Sequence, residues 1–215
     1  MRVSDSVKAL RASATSGGLV CHPENNPVVW QSRTWLMDAF TALMTEKKFE
    51  EITVVELCRR ADLSRRTFYR NYSSKEDLLR SCCERLCREY VRYLERDTAY
   101  FAAHITEVYF SFWKEHKTFL RSVCRDDKIC CLIEVSNTYW PDIYGRLQAY
   151  WKETMSGEEL EYCLFFNMGG LWNIMMKWLF EEPERSPCEM ERMIRRSLQN
   201  LLAGDAKSPD RSDAK

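Results

Sequence analysis

Six basic side chains fall within seventeen residues: Arg59, Arg60, Arg65, Arg66, Arg70 and Lys75. Asp62 is the one acid among them, so six positive charges less one negative leave a local net of +5. The whole chain of 215 residues is neutral, with 32 basic and 32 acidic side chains, so the charge is a local feature. A one-sided cluster of guanidinium groups is the electrostatic footprint of a phosphate backbone. Spacing sharpens the chemistry. Arg66/Tyr69, Arg66/Arg70 and Arg65/Tyr69 lie three or four residues apart, the separation of neighbours on a helix surface. Leu63, Phe68 and Tyr72 fall on the opposite side and are expected to pack inward. An arginine on such a face can read a guanine edge through two parallel hydrogen bonds. The plain alternative is a solvated helical hairpin whose arginines meet only water.

The surrounding residues explain how that face would be positioned. Thr53 and Glu56 have capping-box spacing, which predicts a helix from Val54, and Ile52 and Leu57 have the spacing of a hydrophobic staple. Val54, Leu57, Cys58 and Ala61 give this helix one apolar face. Asp62-Leu63-Ser64 is a turn, and Ser64 can cap a second helix to Asn71. Eight helical residues are about 12 Å long, close to the width of the DNA major groove. Ser73 or Ser74 then opens a third helix, with Glu76 or Asp77 as the reciprocal acid. The reading is a helix-turn-helix.

The segment ADLSRRTFYRNYSSKEDLL resembles the recognition segment of the TetR/AcrR family of bacterial transcription regulators, and the likeness runs upstream from Thr53 to Arg33. It covers about a quarter of the chain. Two departures stand out: Asp62, where the family usually has glycine, and Asn71-Tyr72 in place of the commoner His-Phe pair. A residue with a side chain in that turn is expected to alter the angle between the helices. The candidate DNA-contacting residues are Arg33, Thr53, Ser64, Arg65, Arg66, Thr67, Tyr69, Arg70 and Lys75. By resemblance, Ser32, Arg33 and Thr34 approach phosphates from the first helix, and Lys75 holds one at the start of the third.

Other chemistry finds little support. There is no Ser-His-Asp order, paired-acid motif, glycine-rich phosphate loop or metal motif, so neither an enzyme nor a cofactor is expected. The sequence holds 10 cysteines. None forms a Cys-x-x-Cys pair, and in a reducing compartment they read as small buried hydrophobes. Cys82, Cys83 and Cys87 share one predicted helix, which leaves open a thiol-based redox or soft-metal sensor as an alternative. His104 and His116 read as lone histidines without a ligand partner. No metal site is expected.

The class is all-α: 7 Gly and 6 Pro against 7 Trp, 10 Tyr and 10 Phe favour long helices. Residues 1–25 read as a flexible arm in which Arg2, Lys8 and Arg11 could reach DNA. Residues 26–80 read as the DNA-binding domain, 81–204 as a helical effector-binding and dimerisation domain, and 205–215 as a disordered tail. Asn26-Pro27 resembles the start of a helix running to about Glu46. The third helix is expected to continue to about Arg96, with a break at Asp97-Thr98. No apolar stretch of signal-peptide length opens the chain, so a cytoplasmic location is expected.

The most apolar stretch is Glu158–Glu182. From Tyr162 to Phe180, nineteen residues, only Asn167, Asn173 and Lys177 are strongly polar. Those three side chains oppose a membrane span, so a buried helix is predicted. Gly169-Gly170 inside it suggests close approach by another backbone. Ser186-Pro187-Cys188-Glu189 starts a last helix, whose stripe includes Met190, Ile194, Leu198 and Leu201. The short connection predicts that these two helices are antiparallel neighbours. GGLWNIMMKWLFEEPERSPCEM resembles the branch of the family that contains regulators related to those of dihydroxyacetone-kinase operons. Together the resemblances imply a homodimer closed by a four-helix interface, with Gly169, Gly170, Met190, Ile194, Leu198 and Leu201 in it. They imply a regulator, repressor or activator, that binds a double-stranded DNA operator and answers an unidentified small molecule. Tyr109, Trp113, Tyr139, Trp140 and Phe166 are candidate pocket-lining aromatics.

Overall fold

The computed structural model describes residues 27–139, 142–143, 145–146 and 156–205, with 27, 28 and 201–205 by their backbone alone. The expected N-terminal arm, the tail beyond 205 and Trp140 lie outside the described residues. All regular structure among the described residues is helical, in ten α-helices and one 3₁₀ turn. The helices are α1 (Pro27–Glu46), α2 (Val54–Arg60), α3 (Arg65–Asn71), α4 (Lys75–Glu95), α5 (Thr98–Ala103), α6 (Ile105–Glu115), α7 (Lys117–Arg125), α8 (Ile129–Thr138), α9 (Gly157–Leu179) and α10 (Pro187–Asp205). The 3₁₀ turn, Phe49–Glu51, joins α1 to α2. The chain divides into two compact units, and the division falls inside α4. The first unit gathers the described residues up to Cys87 with those from Cys130 to Asp142; the second holds Arg88–Ile129 and the described residues from Ile143 onward.

In the first unit α1, α2 and α3 pack on one another in every pairing. Leu36, Phe40, Leu43 and Met44 from α1, Phe49 and Ile52 from the connection, Leu57 from α2 and Phe68 from α3 are all essentially fully buried. Each such side chain contributes about 1.5–3 kcal/mol. Leu78, Leu79, Cys82 and Cys83 of α4 complete the core. The rings of Phe40 and Phe49 meet edge to face at 6.1 Å. α8 is held in this unit by Arg80–Glu134 at 3.1 Å and by the Tyr139 hydroxyl, which donates to Glu84 O at 3.4 Å.

In the second unit α10 packs along α6, α5 against α6, and α9 against α7. The predicted pairing of α9 with α10 is therefore corrected: each finds its main partner elsewhere in the chain. A cluster of rings forms the core. Tyr90 lies 4.9 Å from Phe112 and 5.8 Å from Trp113, and Trp113 lies 6.1 Å from Tyr109 and from Trp172. The buried Lys117 sits 4.5 Å over the Trp178 ring with its ammonium 3.0 Å from Glu184. Arg121 Nε donates to Leu179 O at 2.6 Å, satisfying a carbonyl that the end of α9 leaves open.

α9 departs from its sequence reading as a buried helix. Leu160, Leu164, Leu171, Met175, Trp178 and Leu179 are buried, yet Tyr162, Phe165, Phe166, Gly169, Gly170 and Asn173 are exposed. A β-carbon placed on either glycine would meet nothing within 4 Å, so no backbone among the described residues approaches them. No helix among the described residues is long and apolar enough to cross a membrane.

Candidate nucleic-acid interface

The geometry starts with caps. Thr53 Oγ1 accepts from Glu56 N at 3.2 Å, and Ser64 Oγ accepts from Thr67 N at 3.0 Å. Each cap satisfies a donor that its helix leaves orphaned, worth about 1 kcal/mol. The reciprocal half of the first box does not form, because the Glu56 carboxylate turns to Lys47 Nζ at 2.5 Å instead. That ion pair holds the Glu56 carboxyl below its ordinary value. At the third helix, Ser74 Oγ accepts from Asp77 N at 3.1 Å, while Asp77 accepts from Ser73 N at 2.9 Å.

Between the two caps lies the turn. Asp62 has φ 53°, in the left-handed region. Leu63 N donates to Cys58 O at 2.9 Å and Asp62 N to Arg59 O at 3.3 Å, the paired bonds of a Schellman motif. The aspartate thus adopts the conformation that glycine adopts most easily. The expected change of angle at this non-glycine position is not required, since the turn is closed by the bonds such a helix end commonly makes.

These constraints set α3 with Phe68 and Tyr72 buried and Arg65, Arg66, Tyr69 and Arg70 exposed. Tyr69 is 54% exposed although its ring meets Phe68 edge to face at 5.3 Å. Arg65, Arg66 and Arg70 make no hydrogen bond or ion pair among the described residues. Thr67 is half-buried and shares a 3.0 Å contact with the Ser64 hydroxyl.

Other members of the basic cluster have work inside the protein. Arg60 pairs with Glu46 at 2.6 Å. Lys75 Nζ donates to Phe49 O at 2.9 Å, Glu50 O at 3.3 Å and Ile52 O at 3.4 Å, and lies 4.5 Å over the Phe49 ring. An ammonium has three protons, and all are engaged. Lys75 therefore closes the 3₁₀ turn rather than presenting a free charge. Arg33 is likewise structural: Nη1 donates to Asn71 O at 3.1 Å, Nη2 to Ser81 Oγ at 3.3 Å, and the guanidinium lies 4.6 Å over the Tyr72 ring. Ser32 is buried, and Thr34 Oγ1 donates to Trp30 O at 3.1 Å. Sequence spacing could not separate Arg33 and Lys75 from the exposed arginines, because their partners lie 23 to 48 positions away.

The remaining candidates scatter. Tyr109 and Trp113 meet in the ring cluster of the second unit, where the Tyr109 hydroxyl lies 3.5 Å from Met175 Sδ. Trp113 Nε1 is buried without an acceptor among the described residues. Tyr139 belongs to the first unit, and Phe166 is 73% exposed. Of the five candidate aromatics, Tyr109 and Trp113 are the two that the structure brings into contact among the described residues. Of the interface candidates, Met190 is buried in the core and is corrected to a packing residue; Ile194 is half-buried, Leu198 is exposed, and the Leu201 side chain lies outside the described residues. His104 is not alone: its Nδ1 lies 3.3 Å from Glu191 Oε1, and Glu107 completes a group of three. The i, i+3 spacing of His104 and Glu107 was the signal available in the sequence.

Two capped seven-residue helices joined by a tight turn, the second carrying unpaired arginines, define a helix-turn-helix DNA-binding domain. Comparison with known proteins agrees. Residues 36–82 match the family model for bacterial regulatory proteins of the tetR family. The chain is also similar to a protein of Bacillus subtilis (strain 168) described as the uncharacterized HTH-type transcriptional regulator YxbF, at 34% identity over 67 residues. That alignment covers 31% of this chain and 18% of the relative, less than a fifth of its length. The fold resembles the crystal structure of a transcriptional regulator (TerR/AcrR family) from Aquifex aeolicus VF5, with a TM-score of 0.57 and 18% identity over 79% of this chain and 99% of that one. Residues 36–82 thus carry the DNA-binding segment of the tetR family of bacterial regulatory proteins.

Proposed function

We propose that the protein is a ligand-responsive repressor that binds a pseudo-palindromic operator as a homodimer. The observation that carries the reading is the outer face of α3: an exposed tyrosine and three exposed arginines without an ion pair among the described residues, on a helix fixed by the Ser64 cap and Phe68. A free guanidinium gains from each phosphate or guanine it meets without first breaking an ion pair. The test is DNA binding over a range of salt concentrations. The logarithm of affinity should fall linearly with that of salt, and Arg65→Ala or Arg70→Ala should lower the slope by about one. A salt-independent affinity, or none, contradicts the reading.

Dimerisation is supported by the exposed row Tyr162, Phe166, Gly169, Gly170 and Asn173, which repeats at helical spacing along α9. Apolar surface of this kind marks an interface. A second TetR-type helix pair placed by symmetry would cover it, with the glycines admitting close approach. The effector reading rests on the ring cluster of Tyr90, Tyr109 and Trp113, where the unpaired Trp113 N–H offers a buried donor to a ligand acceptor. An effector acts only if it binds the DNA-competent and incompetent states unequally.

One observation favours a second reading, thiol-based sensing. The expected trio Cys82, Cys83 and Cys87 is not the pair concerned: all three are buried, and Cys82 lies 3.9 Å from Met37 O. Its neighbour Cys83 and the charge of Arg80 instead draw the thiol of the half-buried Cys131 below its ordinary value. Cys131→Ser should abolish any effect of peroxide on DNA affinity; an undiminished effect would remove this reading.

A further inference from the structure

We propose that His104, Glu107 and Glu191 bind one divalent first-row transition-metal ion. The three residues come from two elements: His104 is the residue before α6, Glu107 lies in its first turn, and Glu191 is on α10. Their donor atoms lie within 4.8 Å of one another. A tetrahedral zinc ion bonded at about 2.0–2.2 Å holds its ligand atoms about 3.3 Å apart. His104 Nδ1 and Glu191 Oε1 already stand at 3.3 Å, so only Glu107 has to close in.

The surroundings support the same assignment. Glu191 is 8% exposed, and a second carboxylate beside a nearly buried one is costly unless the two share a proton or a cation lies between them. Among the described residues Arg195 pairs with Glu191 Oε1, and no guanidinium pairs with Glu107. Each acid is also held from outside the group: Arg195 orients Glu191, and the Tyr100 hydroxyl donates to Glu107 Oε2 at 3.2 Å. Tyr100 stacks on the His104 ring at 4.4 Å and 27°, which fixes the imidazole plane. Such outer contacts orient ligands in metal sites. One imidazole with two carboxylates suits zinc, cobalt or nickel better than calcium or magnesium, which take oxygen alone. A bound ion would tie the start of α6 to α10, the helix packed along it.

Reduced, metal-free full-length protein titrated with Co²⁺ tests the site, because cobalt reports its ligands by absorption. The expected result is one Co²⁺ per chain, ligand-field bands without a thiolate-to-metal band, and displacement by Zn²⁺. Binding should weaken at least tenfold in His104→Ala and in Glu107→Gln. Zinc should raise the melting temperature of wild type and leave the variants unmoved. Glu107→Gln keeps the side-chain volume and decides the matter if His104→Ala does not fold. A thiolate band, equal binding in Glu107→Gln, or no saturable binding, as when the two acids share a proton, overturns the proposal.

Discussion

Arg33 and Lys75 show how a charged residue in a DNA-binding domain can serve the fold first. Lys75 donates to three carbonyl oxygens at the 3₁₀ turn, so Lys75→Ala should cost about 1–3 kcal/mol, the net worth of hydrogen bonds from a charged donor. Urea unfolding measures this, and an unchanged midpoint would mean that water replaces the ammonium freely. Arg66 has no such duty. Arg66→Ala should leave stability within about 0.5 kcal/mol and change discrimination between DNA sequences by about 1–3 kcal/mol if it reads a guanine. Asp62 makes a third case at this scale. Its left-handed φ is easier for asparagine than for alanine, so Asp62→Ala should destabilise by about 1 kcal/mol while Asp62→Asn does not. Asp62→Asn also removes the one acid of the basic segment and should tighten DNA binding. Equal stability of the two variants would show that the turn carries no strain. The sequence shows which residues are charged but not which are already paired, because Arg33 meets Ser81 and Lys75 meets Phe49 only after the chain has folded.

At the scale of elements, the short helices were legible because their signals are local. Thr53, Ser64 and Ser74 cap the helices that follow them, and Asp97 caps α5 through Tyr100 N at 2.9 Å. Ser186 and Glu189 cap α10 in the predicted way. Ser156 and Glu159 form a capping box at α9. The packing of α9 and α10 was not legible, since a short connection limits where a helix can go without choosing its partner. The sequence showed that α9 is apolar; only the packing shows that its apolar surface divides between a face buried on this chain and one left open. Phe166→Glu tests that open face. Being 73% exposed, the substitution should leave the monomer folded yet dissociate a dimer, as sedimentation would show. A dimer unchanged by Phe166→Glu and by Leu198→Glu places the interface elsewhere.

For the whole molecule, charge pairing sets a response to acid. The carboxyl groups of Glu46, Glu56 and Glu184 are held below their ordinary value, chiefly by hydrogen bonds from Arg60, Lys47 and Lys117 respectively. A carboxyl lowered in the folded state binds its proton more readily when unfolded, so its contribution is present above the unfolded value near 4.5 and is lost as pH falls through the lower folded value. Thermal melts from pH 7 to pH 3 should show a melting temperature that drops below about pH 4.5; a flat profile would mean that these pairs contribute nothing.

The central claim joins both ends of the chain: α3 reads DNA, and two copies read it together. Two recognition helices related by a dyad require two inverted half-sites separated by about one helical turn or a multiple of it. Selection from a random double-stranded DNA library by the purified full-length protein measures both parts at once. The expected outcome is an enriched inverted repeat that Arg66→Ala recovers with relaxed identity at one position in each half. An enriched motif without dyad symmetry would contradict the homodimer, and no enrichment over the starting library would contradict DNA reading by α3.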